Sequence, residues 1–111
     1  MATVSNLFVD QGSYFSTFIN VVAADGTPLN LSTYTVAGQM RKSPASSVGY
    51  DIPCSIIDPE LGRIKIRLDA ESTENIPSGR YLYDIEITDD TGEKLRIIEG
   101  VLNLIPQITR T

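Results

Sequence analysis

The sequence predicts an all-β, immunoglobulin-like sandwich of about seven mostly antiparallel strands, formed as a single domain over residues 1–111. Three observations predict it. Apolar and polar residues alternate with period two in one segment after another, the pattern of strands with one buried face. Turn signals built on Gly, Pro, Asp and Asn recur about every 8–12 residues, the spacing of sandwiches and small barrels, and a barrel is the other closure these strands allow. No long helical pattern intervenes. A chain of 111 residues buries roughly two thirds of its unfolded surface, enough for a core without staples.

Each element follows from local residue chemistry. In "YFSTFINVVA", Phe15, Thr17, Ile19 and Val21 share one face, with Tyr14, Ser16, Phe18, Asn20 and Val22 on the other. "DGTP" is a turn, with Gly26 free to take positive φ and Pro28 fixing its own. "YTVAGQMRK" alternates again and places Tyr34, Val36, Gly38 and Met40 together; "SPASSVG" breaks the pattern as a loop. "YDIPCSII" aligns Ile52, Cys54 and Ile56, and Pro53, which cannot donate to a ladder, predicts a sheet edge or a bulge there. After the turn "DPELG", "RIKIRL" turns Ile64, Ile66 and Leu68 inward and Arg63, Lys65 and Arg67 to water. "DAESTENIPSG" allows at most one short helical turn near 69–76, capped by Asp69 or Ser72 and ended by Pro77. "RYLYDIEIT" aligns Tyr81, Tyr83, Ile85 and Ile87; "DDTGE" is a hairpin loop; "KLRIIEGVLNLI" closes the domain.

Composition then excludes functions. Hydrophobic residues at 41% and charged residues at 21% describe a globular chain. With Lys plus Arg 9 against Asp plus Glu 14, the net charge of −5 argues against nucleic acid as the main partner, because phosphate neutralisation needs a basic surface. No apolar run approaches the ~20 residues of a membrane span, so no membrane partner is expected. "MATVSNLFVDQGS" has neither the basic nor the apolar region of a secretory signal. The absence of histidine removes the usual general base and the commonest zinc ligand, and the one cysteine, Cys54, can form neither an internal disulfide nor a thiolate cluster. An enzyme is not expected, nor a cofactor or metal site.

Three polar features still offer chemistry. "DAESTE" and "TDDTGE" gather Asp69, Glu71, Glu74, Asp89, Asp90 and Glu93, but without the alternating ligand spacing of a calcium loop, so they read as polar turns. The stripe Arg63, Lys65, Arg67 reads as an anion or partner contact, or as a solvated face with cross-strand carboxylate partners. Cys54, with no histidine to activate it, reads as a buried structural thiol.

The last strand adds a question of partners. Leu95, Ile97, Val101 and Ile105 have one parity; Ile98, Leu102 and Leu104 have the other. A bulge at Glu99-Gly100 would switch the inward set, and otherwise one face must meet another chain. With Phe18, Val22 and Leu82, which point away from the core in their own strands, Ile98, Leu102 and Leu104 form a candidate apolar contact patch. The alternative is scattered surface apolars. Arg41 and Lys42 form the basic root of the "SPASSVGY" loop, a candidate subunit contact or a plain strand connection.

The order of segments resembles a known family. An Asp-Gly-x-Pro-Leu-Asn-Leu turn (Gly26, Pro28, Leu29, Leu31) leads to "YTVAGQMRKS" and then to "GRIKIRLDAESTENIPSGRYLYDIEITDDTGEKLRIIEGVLNLIPQITR". Carried with these are Phe15, Ile19, Tyr34, Gly62, Gly79, Asp84, Gly92, Glu99, Gly100, Pro106, Thr109 and Arg110. "RIIEG" and "MRKS" are the distinctive parts, with Met40 in place of a branched residue. From about Asp10 onward the chain resembles small virion structural proteins of tailed bacteriophages, of the contractile-tail and cyanophage type. It is also similar to immunoglobulin-like N-terminal domains of phage baseplate and tail-fibre proteins. The resemblance implies a tail or baseplate component of the virion, made in the host cytoplasm and packed against other virion proteins, with a homo-oligomer as one form of that packing. A capsid decoration or neck protein is the alternative, and a carbohydrate-binding module for the host surface is a third, which the absence of tryptophan disfavours.

Overall fold

A computed structural model describes residues 3–109; Arg110, one of the resembling positions, lies outside them. The described strands are β1 (Thr3–Val4), β2 (Leu7–Asp10), β3 (Phe15–Asn20), β4 (Thr35–Arg41), β5 (Gly49–Ile52), β6 (Cys54–Asp58), β7 (Arg63–Leu68), β8 (Gly79–Thr88) and β9 (Lys94–Ile105). A 3-10 turn (Pro59–Leu61) precedes β7, and one short helix, α1 (Ala70–Glu74), follows it. The large sheet has the order β1-β9-β8-β4-β5, with β2 also on β9; the small sheet is β3-β7-β6. The chain therefore changes sheet between β2 and β3, between β3 and β4, between β5 and β6 and between β7 and β8, the Greek-key path of an immunoglobulin-like sandwich.

The antiparallel strands β3–β9 are the expected ones. The N-terminal pair was not expected: β1 and β2 run parallel to β9, with Leu7 beside Leu102 and Val9 beside Leu104. Parallel pairing with the far end of the chain leaves no turn signal in the sequence.

Pro53 divides "YDIPCSII" between the two sheets. β5 is an edge of the large sheet and β6 an edge of the small one, so the missing N–H costs neither ladder a bond. The Pro53 carbonyl accepts from the Arg67 N–H at 3.0 Å. The bulge lies further on, where the register of β6 slips between Ile56 and Asp58.

The core is the sum of the inward parities. Ile64, Ile66 and Leu68 of β7, Tyr81, Tyr83, Ile85 and Ile87 of β8, and Met40 and Ile52 are all buried. Two tyrosines also tie the frame. The Tyr81 hydroxyl donates to the Pro77 carbonyl four residues upstream, the tyrosine corner of immunoglobulin-like domains. The Tyr83 hydroxyl donates to the Ser5 carbonyl at 2.6 Å and holds the β1–β2 connection on the sheet.

β9 corrects the candidate patch. Ile98, Leu102 and Leu104 point into the core, and Leu102 has no exposed surface. Ile85 pairs with Ile98 while Glu86 pairs with Arg96, so Ile97 is an extra residue, and the bulge falls there rather than at Glu99-Gly100. The bulge switches the inward set: Leu95 stands opposite buried Ile87 before it, and even-numbered residues point inward after it. Gly100 serves a different need. A Cβ there would collide with the Ser5 carbonyl oxygen, so the glycine lets the β1–β2 kink close onto β9.

α1 is the expected helical turn, capped by Asp69, whose carboxylate accepts from the Ser72 N–H at 2.8 Å. Its one buried residue is Thr73. The Thr73 hydroxyl donates to the Ser13 carbonyl at 3.0 Å and accepts from the Gly12 N–H at 2.9 Å, pinning the β2–β3 turn to the helix. Replacing Thr73→Val keeps the shape and removes both partners. The orphaned backbone groups are expected to cost ~1–3 kcal/mol in urea unfolding, with no change in the β-type circular dichroism spectrum.

Candidate interaction faces

The polar side chains are mostly committed to the fold. Asp25 accepts from the N–H and hydroxyl of Thr27 at 3.0 and 2.7 Å. Asp89 repeats the motif with Thr91 at 3.0 and 2.7 Å and adds the Glu93 N–H at 2.9 Å. Hydrogen bonds from these neighbours hold Asp25, Asp69 and Asp89 below the ordinary carboxylate range. The acidic stretches are thus turn and cap residues. Among the described residues no group of three or more His, Cys, Asp or Glu is placed to hold a metal ion. No helix among them is long and apolar enough to cross a membrane.

Arg41 and Lys42 sit at the root of the 42–48 loop, as expected, and both turn back on the domain. The Arg41 guanidinium donates to the Ser46 carbonyl and to the Gln39 side chain, each at 2.9 Å, and so closes the loop on itself. The Lys42 ammonium lies 4.3 Å from the centre of the Tyr81 ring, which Tyr50 meets edge-on.

Cys54 is half-buried, its thiol donating to the Ile52 carbonyl at 3.1 Å. Burial pushes the thiol up from 9.0 to about 11. Burial also raises the phenols of Tyr81 and Tyr83, with Tyr50 adding to the first and the Ser5 bond opposing the second. These groups ionise later in the folded chain than in the unfolded one. Above pH 9 the unfolded state therefore binds fewer protons, and stability falls as pH rises toward 11. Urea midpoints measured across that interval should decline, and the native thiol should resist alkylation at neutral pH.

The remaining candidate residues lie on opposite sides of the sandwich. Leu82 pairs with Val101 on the outer face of the large sheet. There Val4, Phe8 and Ile105 are also exposed, at 70%, 67% and 43%. Val4, Leu82 and Val101 line one shallow groove of about 680 Å³ with Gln39, Asp84 and Arg96. Arg96 bridges Asp84 at 3.1 Å and Glu99 at 3.4 Å beside it. Phe18 is on the outer face of the small sheet, opposite Lys65, and Val22 bridges Pro28 in the following turn. Phe18, Val22 and Leu82 therefore do not form one patch; on the large sheet Leu82 is joined instead by Val4, Phe8 and Ile105. Val4 and Phe8 were hidden because their strands were not recognised.

The basic stripe lacks, among the described residues, the cross-strand carboxylate partners that one reading of the sequence gave it. Among the described residues Arg63, Lys65 and Arg67 make no ion pair, and even Asp58, opposite Arg63 in the ladder, lies outside ion-pair distance. The guanidiniums lie over aromatic rings instead. Arg63 is 5.9 Å from the centre of Phe18, and Arg67 is 5.8 Å from that of Tyr14. A hydrogen bond with Ser16 lowers the Tyr14 phenol, and Lys65 and Arg67 lower it further.

No protein-family model matches the chain. No curated protein matches it either. Among solved structures it is similar to an internalin-like protein of Listeria monocytogenes, with 12% identity and a TM-score of 0.45 over 96% of this chain and 28% of that one. It is also similar to a family 123 glycoside hydrolase of Clostridium perfringens, with 13% identity and a TM-score of 0.44 over 96% of this chain and 24% of that one. The chain spans about a quarter of the length of these two structures.

Proposed function

We propose that the protein is a non-enzymatic structural component of a bacteriophage virion, a tail or baseplate subunit that works by packing against other virion proteins. The observation that carries the packing role is the division of labour among its side chains. The turn carboxylates and the loop-root cations serve the fold, while Val4, Phe8, Leu82 and Ile105 remain exposed on one outer face. Such a face contributes by burial against a partner, at roughly 25 cal/mol per Å² of apolar surface. The virion assignment rests on the resemblance of the segments from Asp10 onward, above all "MRKS" and "RIIEG".

Quantitative mass spectrometry of purified particles from a lysate of the producing host tests this reading. The protein should co-purify at a fixed copy number matching tail or baseplate components. A copy number that follows the capsid would move it to decoration or neck, and its presence only in the soluble lysate would end the virion reading.

A further inference from the structure

We infer that the free edge of β3 is a strand-addition site for an extended acidic segment of a partner chain. This contact lies on the small sheet, away from the apolar face of the large one, and stands whether or not the protein is part of a virion.

Two independent observations meet there. The first is the backbone. Among the described residues β3 pairs with β7 alone, which leaves its other side open. Val21, just beyond the strand, directs its N–H to the Gly62 carbonyl on the β7 side at 2.8 Å. By alternation Phe15, Thr17 and Ile19 face β7 in the same way, and the N–H and C=O groups of Ser16, Phe18 and Asn20 face outward. Edges are normally blunted by charge, proline, bulges or shortness. β5 is short and meets Pro53, β6 follows Pro53 and slips register, and β1 and β2 are two fragments. The six residues "FSTFIN" carry no charge, proline or glycine and pair with β7 in unbroken register.

The second observation is charge. Arg63, Lys65 and Arg67 concentrate three of the nine cations of a chain of net charge −5 on the strand next to that edge. They make no ion pair among the described residues, and Arg63 and Arg67 extend over Phe18 and Tyr14. A strand added beside β3 satisfies the outward backbone groups, and its glutamate or aspartate side chains on the outer face meet these guanidiniums.

The probe is a short synthetic peptide alternating glutamate with valine and threonine, titrated into the full chain. Its controls are the lysine counterpart and the same peptide N-methylated at alternate residues. The glutamate peptide should bind, shift the amide resonances of Ser16, Phe18 and Asn20 first, and weaken with salt. Arg63→Glu with Arg67→Glu should weaken it by about tenfold or more. Ser16→Pro removes an outward N–H and no bond of the β3–β7 ladder, losing only the exposed Ser16–Tyr14 side-chain bond, so it should abolish binding with little change in melting temperature; N-methylation makes the same test without altering the protein. Equal binding of the lysine or N-methylated peptide, or shifts confined to other strands, would overturn the proposal. So would tighter binding of a single-stranded oligothymidylate. Concentration-dependent dimerisation through β3 without peptide would assign the edge to a second copy instead and equally overturn it.

Discussion

Replacing Leu102→Ser and Leu104→Thr together is expected to unfold the isolated chain or bring it to the edge of unfolding. Both side chains are sealed in the core, at 0% and 2% exposure, where β9 lies between β8 and β2. Each large-to-small change costs ~2–5 kcal/mol, and hydroxyls left without partners add to that. The sum is comparable to the whole stability of a small domain, about 5–15 kcal/mol. Leu82→Ser with Val101→Ser is the control on the other side of the same strand pair. Leu82 is 36% exposed and Val101 half-buried on the outer face, so the pair should lower stability far less, by about 1 kcal/mol. Urea unfolding of the two double variants should separate them widely. Equal losses would mean that the inward parity of β9 is misassigned.

Gly62→Ala should be strongly damaging, because it adds a strained φ to a backbone collision. Gly62 ends the 3-10 turn at φ +65, where an L side chain is strained. Its added Cβ would collide with the Val21 carbonyl oxygen and stand 2.8 Å from that of Leu29. Both obstacles are backbone, so no rotamer change relieves them. The surrounding bonds are also short of slack: Val21 donates to Gly62 at 2.8 Å, Leu29 to Val21 at 3.0 Å and Leu31 to Pro59 at 2.8 Å. Together they close the lower core of Val21, Leu31, Ile64 and Ile87. A loss of at least ~3 kcal/mol is expected, against ~1 kcal/mol for the φ penalty alone. Gly92→Ala supplies that reference, since Gly92 has φ +90 but open space around it. Similar melting temperatures for the two variants would show that the backbone at Val21 yields more readily than this geometry allows.

What could be read from the sequence was the part set by period two. The inward faces of β3, β4, β7 and β8 follow from alternation that one bulge-free register preserves. β9 was ambiguous because Ile97 is inserted into it; both parities are apolar, and only pairing with β8 shows which half points inward. Pro53 announced an edge, yet not that one run of residues serves two sheets, because sheet membership is a long-range property. β1 and β2 escaped notice because their partner lies at the other end of the chain.

The candidate contacts were legible only in part. Phe18, Val22 and Leu82 were rightly read as outward, but alternation cannot tell which outer face a residue joins, and two sheets give two of them. The tyrosine corner was within reach, since Pro77 stands four residues before Tyr81 at the start of β8. The aromatic cover on Arg63 and Arg67 required the β3–β7 register.

Leu102 and Leu104 of β9 belong to this chain's own core, and the proposed partner contacts fall on its outer faces and the β3 edge. An isotope-filtered NOE experiment on an equal mixture of labelled and unlabelled protein tests this core placement most directly. The methyls of Leu102 and Leu104 should show NOEs only within one molecule, including Leu7 to Leu102 and Val9 to Leu104. An intermolecular NOE from either methyl would contradict the account.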